Sequence, residues 1–219
     1  MKNLQKMGGF AALYLAAAYL IGIVLFLFVL DYPSIVEPAQ KVALLVDKQM
    51  VIYITNLLMY VIFGVFLVVL ALALYERLNT SSPAIIRTAT AIGIIWAGAL
   101  IASGMVSNAG IAPVVTLYGK DPAQAALTWL AIESVANGLG GANGEILGGL
   151  LTFLVSWAAL RAGGLLKGLN YLGVLVGAVG IISTVPGLND LAGLFGMSQI
   201  LWFVWLGIVM LRRSPSAAV

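Results

Sequence analysis

The sequence predicts an all-α fold: a polytopic membrane helix bundle of six transmembrane helices, with one or two short interfacial helices on the outer side. Three observations predict it. Of 219 residues, 62% are hydrophobic and 9% charged, where a soluble domain carries roughly 25% charged residues. The high mean hydropathy, +1.09, runs the length of the chain, so a single integral membrane domain over 1–219 fits better than a soluble domain on one anchor. Six apolar segments reach or approach the roughly 20 residues that cross a hydrocarbon core about 30 Å thick.

Those segments are 8–30, 50–74, 88–112, 145–160, 168–185 and 191–211. The first follows Lys2 and Lys6, and Ala16-Ala17-Ala18 resembles a cleavage site. The apolar run continues well beyond Ala18, too far for a signal core, so a retained first span is expected. Two outer connections carry helix-like stretches of their own. In the second, Asp121-Pro122-Ala123-Gln124 reads as an N-cap, a proline at the first helical position and a capping-box glutamine, with Gly138 as the stop. A helix over 122–137, about 24 Å long, should lie along or dip into the outer surface without forming a seventh span. Residues 38–49 are a second, weaker helix candidate. Gly93, Ile101 and Ser103 match Gly173, Ile181 and Ser183 at a constant offset, a faint parallel repeat of spans three and five.

Charge sets the orientation. Lys2, Lys6, Arg77, Arg87, Arg161, Lys167, Arg212 and Arg213 fall in one set of connections, with Glu76 as the one acid. The other set holds Lys41, Lys48 and Lys120 among seven acids: Asp31, Glu37, Asp47, Asp121, Glu133, Glu145 and Asp190. The positive-inside rule places the basic set, and both termini, in the cytoplasm of a bacterial inner membrane. The same clustering explains the net charge of +3 without a nucleic-acid partner.

The chain has no cysteine and no histidine. Thiolate chemistry, zinc sites built on Cys or His, and bis-histidine haem ligation therefore need residues that are missing. Any metal would be held by oxygen alone, and the cofactor is unknown.

The sharpest polar feature runs from Glu133 to Glu145. Glu133 and Asn137 are four apart and share one helix face. A glycine-rich hinge containing Asn143 leads from them into the fourth span. The uncharged part of that span, 146–160, covers only about 22 Å as helix. Arg161 can snorkel to the inner surface but a glutamate reaches less far, which draws Glu145 to membrane depth, where an acid is a functional-site hypothesis by default. A cap at the helix start is the alternative role. Asn56 and Asn108 lie toward the same outer ends and, with Glu145, Glu133, Asn137 and Asn143, form the candidate ligand-binding set. Gly173 and Gly177 form a GxxxG pattern, with Gly98 and Ala102 as its small-residue equivalent; both are expected to pack helices within the chain.

Gly141-Ala142-Asn143-Gly144-Glu145-Ile146-Leu147-Gly148-Gly149 and the closing Gln199-Ile200-Leu201-Trp202-Phe203-Val204-Trp205-Leu206-Gly207-Ile208 resemble the bacterial membrane proteins catalogued as domain of unknown function 4386. The resemblance covers nearly the whole chain and implies a bacterial multi-span protein, with no activity or functional residue to carry over.

Three functions compete. The first is binding or transport of a small cation or amphiphile through an outward-facing polar pocket. The second is a structural or accessory subunit, as a homo-oligomer or in a larger membrane complex, with the lipid bilayer as surroundings. The third is an intramembrane enzyme using Glu133, Glu145 and Asp190 as acid and base; the lack of a recognisable nucleophile leans against an enzyme.

Overall fold

The computed structural model describes residues 2–79, 82–140 and 145–212, and most of these are helical, with no strand among them. Eight α-helices follow in order: α1 (Lys2–Ile23), α2 (Pro38–Asn56), α3 (Phe63–Leu78), α4 (Pro83–Tyr118), α5 (Pro122–Gly140), α6 (Ile146–Ala162), α7 (Lys167–Ile182) and α8 (Leu191–Arg212). Two π-helical stretches, Val24–Val29 and Leu57–Ile62, continue α1 and join α2 to α3. Four helical segments are long and apolar enough to cross a membrane: Asn3–Val29, Pro38–Leu78, Pro83–Tyr118 and Leu191–Arg212. Ile146–Ala162 and Lys167–Ile182 are apolar but shorter.

The helices run past the boundaries read from the sequence, for backbone reasons. Polar Asp47, Lys48 and Gln49 suggest a break between an outer helix and a span, yet neither glycine nor proline stands there, and the helix continues from Pro38 through Asn56 with one departure, at Lys48 (φ −115°, ψ 23°). Pro113 lies inside α4. Gly138 does not stop α5, which continues to Gly140. A glycine ends a helix when it turns left-handed, as Gly163 does at φ 68° behind α6.

The chain divides into two compact units, one of Met1–Ala17, Gly64–Gly98 and Gly141–Val219, the other of Ala18–Phe63 and Ala99–Gly140. In the first, α6 and α7 pack backbone to backbone. A Cβ on Gly177 would stand 2.6 Å from the Gly149 carbonyl oxygen, and one on Gly149 2.8 Å from that of Gly177. The GxxxG pair is thus an internal contact, whereas a Cβ on Gly98 would meet nothing within 4 Å. Thr152 and Gln199 exchange hydrogen bonds of 3.2 and 3.0 Å, both fully buried. Trp202 is buried and Trp205 partly exposed.

In the second unit, the two outer helical stretches pack on each other. Val42 and Leu45 of α2 are fully buried in one cluster with Ala125, Ala126 and Trp129 of α5 and with Ile111 and Val114 of α4. The start of α5 is capped as its sequence dictates, Asp121 Oδ1 accepting from the Gln124 N–H at 3.0 Å. The Asp121 N–H itself bonds to the Leu117 carbonyl at 2.8 Å, leaving no reciprocal role for the glutamine.

Candidate functional site

Three helices and one turn assemble a polar cavity within the second unit. Trp129, Glu133 and Asn137 recur every four residues on α5 and so form one stripe; Ser103 and Ser107 do the same on α4, and Ile52 and Asn56 on α2. Each π-helical stretch, a form that often marks functional sites, adds an aromatic ring: Phe26 from the first and Tyr60 from the second. Tyr32 arrives on the 3-10 turn Tyr32–Ser34, where Asp31 adopts a left-handed conformation (φ 46°, ψ 37°). Asparagine and aspartate tolerate that conformation better than other side chains. All these residues line a cavity of about 70 Å³. Pockets for drug-sized ligands measure roughly 300–1,000 Å³, so this space suits a headgroup, a small molecule or a few waters.

Glu133 is the electrostatic centre. Lys41 Nζ stands 2.9 Å from each of its carboxylate oxygens, and the Tyr32 hydroxyl donates to Oε1 at 2.7 Å. Little of either charged side chain meets solvent, 11% for Glu133 and 21% for Lys41, so the pair attracts more strongly than a surface pair. Lys41 Nζ also lies 5.2 Å from the centre of the Tyr32 ring, and the Trp129 indole N–H points to the Tyr32 hydroxyl at 3.4 Å. Burial raises the Tyr32 phenol well above its ordinary value of 10.0, and the hydrogen bond to Glu133 raises it further.

The polar end of the cavity is partly committed. Ser103 Oγ donates to the Ala136 carbonyl at 2.8 Å and ties α4 to α5. The Asn56 amide donates to Asn108 Oδ1 at 3.0 Å, and Asn108 donates to the Tyr53 carbonyl at 3.2 Å. Asn108 lies outside the cavity wall. Ser107 and Asn137 line the cavity with no hydrogen bond from their side chains to any described residue.

Of the residues singled out from the sequence, Asn56, Glu133 and Asn137 share this cavity and Asn108 braces one of them. Asn143 lies outside the described residues. Glu145 belongs to the other unit. It occupies the N-cap position of α6 without a side-chain cap, is half-buried, and its backbone N–H donates to Ser183 Oγ at 3.1 Å. The polar centre described here is therefore Glu133. Sequence reasoning missed Tyr32, Lys41 and Trp129. Trp129 was findable one turn before Glu133, but Tyr32 and Lys41 are about a hundred residues away in sequence and gave no local signal.

Among the described residues, no group of three acidic side chains is placed to hold a metal ion. Neither a curated protein nor a solved structure matches this chain. The profile of the domain of unknown function DUF4386 matches residues 14–213, nearly the whole sequence, and the chain belongs to that family.

Proposed function

We propose that this chain is a bacterial inner-membrane protein of six spans with both termini in the cytoplasm, which binds or carries a small cation or amphiphile through the cavity around Glu133. The observation that carries the reading is a carboxylate of one outer connection, set in an aromatic-walled cavity and bonded by two side chains of the other. An acid kept there with its own counter-ion is a costly arrangement for packing alone. Two bonds support the sidedness. Lys41 and Glu133, both read as outer, pair with each other. Arg77 Nε donates to the Gly164 carbonyl at 3.1 Å, joining two connections both read as cytoplasmic.

Asn108 completes the proposed ligand-binding set of that unit, while Glu145 and Asn143 stand as a separate candidate, with Glu145 an acid at the start of a short apolar helix. The test is thermal stabilisation of the purified chain by a panel of small cations and amphiphiles, because a ligand that binds the folded state raises its melting temperature. A compound that stabilises the native chain and not Glu133→Gln supports the reading. Equal stabilisation of both chains by every active compound refutes a site at Glu133. The same comparison with Glu145→Gln decides whether that acid takes part.

A further inference from the structure

We propose that the cavity takes the ammonium group of a small alkylated amine bearing a hydroxyl, and that Lys41 is its tethered competitor. This rests on the cation reading above and narrows it to a chemical class.

Four aromatic side chains, Phe26, Tyr32, Tyr60 and Trp129, share the wall with one carboxylate. A hard inorganic cation needs six or more oxygen ligands to replace its water. Here the one carboxylate already accepts from Tyr32 and Lys41, and most of the remaining wall is aromatic or aliphatic. An alkylated ammonium has the opposite demand. Its charge is spread over methyl groups, it sheds water readily, and aromatic faces are its usual partners.

Lys41 shows that these groups accept an ammonium. Its Nζ contacts both Glu133 oxygens at 2.9 Å and lies 5.2 Å from the Tyr32 ring centre. Lys41 itself is not part of the cavity wall, so it approaches the carboxylate and the ring from outside the space a ligand would fill. An entering cation would compete with it for the same carboxylate. Ser107 and Asn137, whose side chains make no hydrogen bond among the described residues, are available on the same wall for a hydroxyl.

The experiment is calorimetric titration of the full chain in mild detergent with choline, tetramethylammonium, potassium, and dimethylbutanol, the uncharged carbon analogue of choline. Choline should bind about tenfold more tightly than dimethylbutanol, the scale of a desolvated cation–π contact, and potassium should not displace it. Lys41→Met should tighten choline binding several-fold, and Asn137→Ala should weaken choline more than tetramethylammonium. Binding of dimethylbutanol as tight as choline overturns the ammonium class and leaves an amphiphile site. Potassium that binds and excludes choline overturns it in favour of an inorganic cation. No heat with any of the four, in the native chain and in Lys41→Met, overturns both this inference and the cation reading beneath it. The choline and dimethylbutanol comparison needs no variant, so it decides the class even if Lys41→Met fails to fold.

Discussion

At the scale of single residues, Lys41, Glu133 and Tyr32 behave as one unit. Removing the lysine leaves a nearly enclosed carboxylate without its counter-ion, so Lys41→Met should cost on the order of 1–3 kcal/mol, a range that allows for the solvent still reaching the pair. Lys41→Met combined with Glu133→Gln should recover part of that loss, as chemical or thermal unfolding in detergent would show; a double variant less stable than either single one would refute the coupling. Tyr32 adds a dependence on alkaline pH. Its folded pKa lies above the unfolded value of 10.0, so the neutral phenol contributes stability that is fully present below pH 10.0 and is lost as pH rises through the folded value. Above pH 10.0 the native chain should therefore lose stability more steeply than Tyr32→Phe, which has no phenol to ionise. Parallel melting curves for the two would contradict this. The Glu133–Asn137 stripe was legible because helical spacing is a local property. Its counter-ion was not, because which helix covers that stripe is decided by the packing of Val42 and Leu45 on α5.

At the scale of elements, the glycines separate contact from mere permission. Gly177 sits where α6 and α7 touch through their backbones, and a methyl group there can be relieved only by moving a helix. Gly177→Ala should destabilise by about 1–3 kcal/mol. Gly98→Ala should do the reverse, gaining about 0.5–1 kcal/mol from helix propensity where nothing obstructs the added carbon. Thermal unfolding of the two variants checks both signs, and a loss of stability in both would mean that Gly98 also meets a neighbour. From the sequence these positions look alike, since small-residue spacing says that close approach is allowed without saying where it occurs. The helices themselves were legible from hydropathy and length. Their ends were not, because polarity at Asp47–Gln49 marks a change of surroundings while only backbone chemistry interrupts a helix.

At the scale of the whole molecule, the charge asymmetry predicts the sidedness. The natural chain has no cysteine, so single-cysteine variants report without background. Lys120→Cys should react with an impermeant thiol reagent on intact cells, and Arg161→Cys only once the membrane is opened. Labelling of Arg161→Cys from outside would reverse the orientation. The stretch Leu57–Ile62 carries a consequence of a different kind. A π-turn holds one more residue than an α-turn, so it absorbs one residue of sequence without turning the helical stretches it joins. Each residue advances an α-helix by about 100° and a π-helix by roughly 80°. Deleting Leu58 would let the stretch relax to regular helix, five residues then turning through nearly the angle that the six turn through now. Asn56 and Tyr60, three apart instead of four, would still share a side of the helix. Relatives that keep the site should therefore tolerate a single deletion between Leu57 and Ile62, whereas a deletion in the regular turns away from it would rotate the helix on one side of the gap by about 100° relative to the other.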